Sequence, residues 1–182
     1  MPVGRLDLNT EGLLLMTNDG ELANKLSKAA AGVEKVYLVK VSGAPEAGKL
    51  EQLRRGIMID RGRLNEARRD RILTAPAKVE QVRGGDNPWF ELTLTEGRNR
   101  QIRKMFEEIG HHVEKIRRIG YGALRLDVAP GEYRELTPGE VTALDRAARG
   151  LKVAPKQKPP EFSQLRKPVP PKSFKRRPRT KS

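Results

Sequence analysis

The pattern of apolar and polar positions near the start of the chain predicts a strand followed by a short helix. Residues 10–16 have the pattern of a strand, and residues 17–20, Thr-Asn-Asp-Gly, are typical of a turn that ends one. Asn18 with Glu21 three positions later fits a helix N-cap and its reciprocal partner. Leucines at positions 22 and 26 then give the helix an apolar stripe that runs up to Gly32.

A second strand covers residues 34–41, which are rich in β-branched and aromatic side chains. Because side chains alternate along a strand, one face carries every second residue. That face consists of Lys35, Tyr37, Val39 and Val41. Residues 46–56 then predict a surface helix, and residues 57–83 predict short strands interrupted by a charged run at 68–71.

A hairpin and a buried helix follow. Residues 84–88, Gly-Gly-Asp-Asn-Pro, form a turn before the alternating strand at 89–95, so these two strands are expected to pair. Residues 99–109 predict a helix with four apolar side chains at the i, i+3, i+4, i+7 spacing of a buried stripe. They are Ile102, Met105, Phe106 and Ile109. Gly110 ends this helix.

The last part of the body predicts a bent strand and a well-capped helix. Alternation beyond Gly110 continues into a strand that bends at Gly120 and Gly122, and Thr137-Pro138-Gly139-Glu140 carries a capping box with proline at the first helical position. Strands outnumber helices, and most connections are too short for parallel crossovers. Residues 1–150 are therefore expected to form an α+β domain on a mainly antiparallel sheet.

Composition excludes several classes of site. The 182 residues contain no cysteine, which excludes disulfides, a thiolate nucleophile and Cys-ligated metals. The two histidines, His111 and His112, are adjacent and would point opposite ways on a strand, so we expect no metal cofactor. No stretch approaches the roughly 18 apolar residues of a membrane span. We expect a soluble, cytoplasmic, monomeric protein that does not bind membranes.

The net charge of +14 is concentrated at one end of the chain. Residues 152–182 hold 11 Lys and Arg against the single acid Glu161, contributing +10, together with seven prolines. Such a segment cannot bury enough apolar surface to fold, so we predict a disordered arm over 151–182 that contacts phosphate without sequence preference. The alternative is a solubilising tail with no specific partner.

Cations cluster at the start of the 99–109 helix, on the side predicted to face away from its apolar stripe. They are Arg98, Arg100, Arg103 and Lys104. Positive charge at a helix N-terminus opposes the macrodipole, and a bound RNA phosphate would offset this. The alternative is a solvated helix face paired with Glu107 and Glu108.

Two further residues have both an ordinary and a functional interpretation. Asp7 lies in a polar loop bounded by glycines, where a carboxylate is most often a turn residue. Tyr37, one of three tyrosines, is flanked by valines and could pack in the core. It could equally offer a ring on which a nucleobase stacks.

Three ordered motifs closely resemble those of the bacterial ribosomal pseudouridine synthases, over roughly residues 2–145. They are Gly-Arg-Leu-Asp at 4–7 with Thr-Glu-Gly-Leu-Leu-Leu-Met-Thr-Asn-Asp-Gly at 10–20, Lys-Val-Tyr-Leu-Val at 35–39, and Glu-Gly-Arg-Asn-Arg-Gln-Ile-Arg-Lys-Met at 96–105. The likeness is to the branch that modifies single uridines. Residues 20–26 and the long basic tail favour its large-subunit members.

The resemblance implies roles for individual residues. Asp7 would be the catalytic carboxylate, Arg5 would hold the extruded nucleotide or the space it leaves, and Tyr37 would stack on the target uracil. Arg103 would pair with Asp7, and Ile102 would supply apolar contact. The reaction breaks the bond from N1 of uracil to ribose and rejoins the base through C5, so no cofactor is required. The implied partner is ribosomal RNA, with 23S RNA favoured, or an assembling ribosomal subunit.

Relatives in this family usually carry a small RNA-binding domain and opening strands before the Gly-Arg-Leu-Asp motif, which here begins at residue 4. We therefore expect an N-terminally truncated catalytic domain, from a fragment or a miscalled start. The alternative is a reduced form of the enzyme. Another hypothesis is a noncatalytic RNA-binding or ribosome-assembly factor on the same fold. A C5 methyltransferase is disfavoured, because such enzymes commonly use a cysteine nucleophile and no Gly-rich cofactor loop follows a strand.

Overall fold

The computed structural model describes residues 1–28, 31–61, 70–151 and 153. Almost all of the predicted basic tail lies outside the described residues, and so do Arg68 and Arg69 of the charged run. The division into a domain and a disordered tail therefore stays a prediction.

The chain forms ten strands and four helices within the described residues. The strands are β1 (Pro2–Val3), β2 (Thr10–Gly12), β3 (Leu15–Met16), β4 (Lys35–Ser42), β5 (Met58–Asp60), β6 (Arg71–Leu73), β7 (Lys78–Arg83), β8 (Trp89–Leu94), β9 (His112–Tyr121) and β10 (Leu124–Arg125). The helices are α1 (Gly20–Ser27), α2 (Ala47–Arg55), α3 (Gln101–Glu108) and α4 (Pro138–Ala148).

The central sheet has the order β10-β9-β4-β8-β7, and all four of these pairings are antiparallel. Strand β2 adds a parallel pairing with β9. The predicted α+β class with a mainly antiparallel sheet is confirmed, as are the strand at 34–41 and the hairpin across 84–88. Two small pairs, β1 with β3 and β5 with β6, lie outside this sheet.

The predicted strand at 10–16 is split in two. Gly12 has a φ of +111°, a conformation that L side chains rarely adopt, and the chain changes direction there. Its first half, β2, pairs with β9, whereas its second half, β3, pairs with β1. The sequence predicts one continuous strand because residue types alone do not show the backbone conformation of Gly12.

Helix ends differ from the prediction in two places. Asp19, not Asn18, caps α1, because its Oδ1 accepts a hydrogen bond of 2.9 Å from the Leu22 amide. This helix ends at Ser27, before Gly32. The third helix begins at Gln101 rather than 99, since Arg100 adopts a left-handed φ of 50°. The predicted α2 is confirmed, and α4 has the complete predicted capping box.

Two large apolar clusters support the sheet, together with a small one of Val36, Leu38 and Ile119. The larger lies between one sheet face and helices α2 and α3, and it contains the whole predicted stripe of α3. The second joins α1 and α4 to the end of β9, with Leu26, Tyr121 and Leu144 buried at its centre. Where the two clusters meet, the sheet face is left open to a pocket. No helix among residues 1–28, 31–61 and 70–151 is both long and apolar enough to cross a bilayer.

Candidate active site

One pocket of about 190 Å³ gathers residues from four separate parts of the chain, with Ser27 of α1 as a further contributor. The loop between β1 and β2, strand β4, the segment from 94 to 103 and strand β9 all contribute. Seven of the eight residues predicted from the sequence line it: Arg5, Asp7, Tyr37, Arg98, Arg100, Ile102 and Arg103. The eighth, Lys104, does not.

Asp7 is presented by a tight turn. The Thr10 amide donates a hydrogen bond of 2.9 Å to the Asp7 carbonyl, and Asn9 takes a left-handed φ of 63°, which asparagine tolerates well. The backbone of Asp7 therefore belongs to a turn, as its local sequence indicates. Its half-buried side chain lines the pocket.

Arg103 does not form the ion pair with Asp7 that the resemblance implied. Its side chain is 8% exposed, and its guanidinium donates to the Val113 carbonyl at 2.8 Å and the Asn9 carbonyl at 3.1 Å. No ion pair within 4.0 Å joins it to Asp7 among the residues that the structure describes. Burial, followed by the neighbouring charge of Arg100, lowers the pKa of Arg103, whereas Asp7 acts in the opposite sense.

The prediction that Arg103 and Lys104 lie on the exposed side of their helix is wrong. Residues 101–106 are all buried, because both sides of this part of α3 are covered. Lys104 is 8% exposed and its ammonium donates to the Asp60 carbonyl at 2.8 Å. For Arg103 and Lys104 the exposed-face alternative is wrong for the same reason, and Glu108 pairs instead with Arg71.

The segment before α3 is held by its own side chains. Arg98 pairs with Glu96 at 2.9 Å, and the Gln101 amide donates to the same carboxylate at 2.7 Å. The Arg98 backbone amide in turn donates to the Gln101 side-chain oxygen Oε1 at 3.0 Å. These bonds hold Arg98 and Arg100 at the pocket without placing them in the core.

Sequence reasoning missed Lys35, Arg118 and Tyr121, which line the same pocket. The Lys35 ammonium and the Arg118 guanidinium carbon each lie 5.4 Å from the centre of the Tyr121 ring, within the range of a cation–π contact. Burial, with the nearby charge of Arg118, lowers the pKa of Lys35. The alternation of side chains along β4 could have indicated Lys35, because it shares the strand face of Tyr37. The alternation of β9 gave no such signal for Arg118.

The pocket is strongly cationic. Six lining residues are Lys or Arg and two are carboxylates, so four positive charges are in excess. A concave surface of one sign concentrates ligands of the opposite sign, and a half-buried carboxylate beside an aromatic ring adds a possible reacting group. Across 1–28, 31–61 and 70–151, no three His, Asp or Glu side chains gather as a metal site would require.

This chain is similar to known RNA pseudouridine synthases. A family model for RNA pseudouridylate synthase matches residues 1–108. Ribosomal large subunit pseudouridine synthase B of Bacillus subtilis is 45% identical over 147 residues, or 79% of this chain and 56% of that protein. The protein of the same name from Escherichia coli K12 is 39% identical over 163 residues, or 88% of this chain and 50% of that protein.

Solved structures agree with the sequence comparisons. A crystal structure of a pseudouridylate synthase superposes with a TM-score of 0.69 at 33% identity, covering 79% of this chain and 58% of that chain. This chain spans about half the length of the curated relatives it matches.

Proposed function

Because this chain belongs to the RNA pseudouridylate synthase family, we propose that it isomerises a uridine of ribosomal RNA to pseudouridine, with Asp7 as the required carboxylate. The names of the matched relatives favour a uridine of the large subunit, hence of 23S RNA. The noncatalytic alternative has no support among these relatives.

One observation carries the proposal: seven residues chosen from sequence motifs line a single pocket, with Asp7 among them. The motifs that hold them are separated by up to about ninety positions in the chain, so their convergence is a property of the fold. A protein that only gripped RNA through phosphate contacts would not need a half-buried carboxylate inside a cationic pocket.

The substrate would enter the pocket as an extruded nucleotide. Removing a base from its stack costs a few kcal/mol, and stacking on the Tyr37 ring would return about 1–3 kcal/mol of that. Arg98 and Arg100 would contact phosphates beside the target, while Arg5 would hold the nucleotide or fill its place. Ile102 would give the base an apolar contact. Lys104 is assigned no RNA contact, because its ammonium is bonded to Asp60.

The isomerisation conserves every heavy atom. The bond from N1 to C1′ breaks, the uracil turns, and C5 bonds to C1′. C5 loses its proton to solvent and N1 gains one, so no redox cofactor takes part. Asp7 would act on the nucleotide within the pocket, and Arg103 would hold the turn that carries it through Asn9.

The test uses large-subunit RNA transcribed with tritium at uridine C5. The chain should release tritium, Asp7→Asn should bind the same RNA without releasing it, and Asp86→Asn should release it normally. Asp86 is a matched control because it is exposed in the turn between β7 and β8. RNA binding without tritium release by the unaltered chain would reject the enzyme. Full release by Asp7→Asn would reject the role of Asp7.

A further inference from the structure

Arg118 is the most deeply buried cation of the pocket. Its side chain is 3% exposed, and no carboxylate lies within 4.0 Å of its guanidinium among the residues that the structure describes. Burying a charge without a counter-ion is unfavourable, so packing by itself gives no reason to have an arginine here. Its Nη2 is buried with no hydrogen-bond partner within 3.5 Å.

A β-bulge brings Arg118 into the pocket. Val36 is paired with Gly120, but Tyr37 is paired with Arg118, so Ile119 is an extra residue in β9. Because side chains alternate, a strand without this bulge would place Arg118 opposite Leu38, on the other face of the sheet. The bulge therefore makes Arg118 the direct cross-strand neighbour of Tyr37.

Arg118 is also fastened to the segment that follows the Asp7 turn. The Leu13 amide donates to the Arg118 carbonyl at 2.8 Å, and the Arg118 Nε donates back to the Leu13 carbonyl at 2.8 Å. Gly12 packs directly on the same backbone, where a Cβ would lie only 2.2 Å from the Arg118 carbonyl oxygen. The backbone segments at Gly12 and Arg118 thus meet at a distance that only glycine permits.

On the neighbouring strand, Tyr37 lies directly opposite Arg118. Directly opposed residues on antiparallel strands have Cβ atoms about 4.5–5.5 Å apart, which puts the phenol within reach of a guanidinium. Burial raises the pKa of Tyr37, and the charge of Arg118 and its hydrogen bond to the hydroxyl act against that rise. Arg118 therefore contacts both the Asp7-bearing segment and the predicted base-stacking ring.

We propose that Arg118 is a positioning residue, which holds the Tyr37 ring and the Asp7 segment at a set separation through the Tyr37 hydroxyl and the Leu13 carbonyl. This inference rests on the proposed function. A base stacked on Tyr37 is then presented to Asp7 in one orientation. Removing Arg118 affects the chemical step more than RNA affinity, because other cations of the pocket contact the phosphates.

The kinetic test compares Arg118→Met with Arg117→Met in single-turnover tritium release. Arg118→Met should slow the step at saturating RNA by about 100-fold, the usual effect of a misplacement near 1 Å, with RNA Kd changed less than about fivefold. Arg117 is the matched control, since it lies next in the strand and pairs with Glu11 at 2.9 Å. Its substitution should change the rate less than about fivefold.

A second test does not depend on activity. Fluorotyrosine labelling gives one ¹⁹F resonance for each of the three tyrosines, and Tyr37→Phe assigns that of Tyr37. Fluorination also brings the titration of the phenol into an accessible pH range. The pKa of Tyr37 should rise in Arg118→Met and stay unchanged in Arg117→Met, because only the first loses a cation beside the hydroxyl.

The outcomes separate the two proposals. An unchanged Tyr37 titration in Arg118→Met, or a wild-type rate, would overturn the positioning role, as would a rate loss matched by an equal loss of RNA affinity. If Arg118→Met does not fold, Arg118→Lys decides, since it keeps the charge but cannot reach both partners. If the unaltered chain releases no tritium, the proposed function fails, while the Tyr37 titration still tests the contact.

Discussion

Arg103 lies in the same pocket as Asp7 but bonds to the turn that carries it rather than to its carboxylate. The guanidinium donates to the Asn9 carbonyl at 3.1 Å, two residues beyond Asp7, and to the Val113 carbonyl at 2.8 Å. Arg118 makes the corresponding bond to the Leu13 carbonyl at 2.8 Å. Two buried arginines thus hold the loop on either side of β2.

The two carbonyl bonds of Arg103 predict the effect of replacing this arginine with lysine. Arg103→Lys should slow single-turnover tritium release by about 10- to 100-fold, because an ammonium keeps the charge but cannot hold two carbonyls in a fixed plane. RNA Kd, measured by filter binding, should change little. A wild-type rate in Arg103→Lys would show that the two carbonyl bonds do not position Asp7.

Tyr37 is predicted to act through its ring. Tyr37→Leu should weaken productive binding of the extruded base by about 1–3 kcal/mol, roughly 5- to 150-fold in kcat/KM. Tyr37→Phe keeps the ring and loses only the contact with Arg118, so its loss should be the smaller. If Tyr37 serves only to pack the core, thermal stability will fall in Tyr37→Leu and kcat/KM of the folded protein will not.

The salt dependence of RNA binding should distinguish Arg100 from Lys104. Arg100→Gln should reduce the slope of log K against log salt by about one, the value for one lost phosphate contact. Lys104→Met should leave the slope unchanged and lower stability by about 1–3 kcal/mol, because it leaves the half-buried Asp60 carbonyl without its donor. Equal changes in slope would mean that Lys104 does reach the RNA.

Glu140 should make the stability of the folded protein depend on pH in the acidic range. Its hydrogen bonds from Arg134 and the Thr137 amide lower the pKa of this carboxyl from 4.5 to about 2. Because the pKa of Glu140 is lowered in the folded state, its carboxylate stabilises that state above about pH 4.5. This stabilisation is lost as the pH falls toward 2. At pH 7, Glu140→Gln should therefore lose about 1 kcal/mol, the usual worth of such a cap.

Thermal unfolding of both proteins from pH 7 to 2 checks this, and the difference in stability should shrink as the pH falls below about 4.5 and disappear near pH 2. Glu46→Gln is the matched control, since Glu46 caps α2 without a side-chain hydrogen bond. A difference for Glu140→Gln that stays constant across this range would contradict the assignment.

Much of the fold could be predicted because its signals are local. The stripe of Ile102, Met105, Phe106 and Ile109 marks a helix by its spacing alone, and the capping box at Thr137 lies within four residues. Where the pattern misled, a backbone conformation intervened. Positive φ at Gly12 divided one predicted strand, and at Arg100 it delayed the start of α3.

The sequence by itself determined the family through its ordered motifs, and it predicted that Asp7, Tyr37 and Arg103 belong to one site. Only the tertiary structure decided their connections, because these join residues far apart in the chain. The bonds from Arg103 to Asn9 and from Arg118 to Leu13 span 94 and 105 residues. Arg118 reaches the pocket only through a one-residue shift in strand register, and a pattern of period two along one strand does not record how that strand pairs with its neighbour.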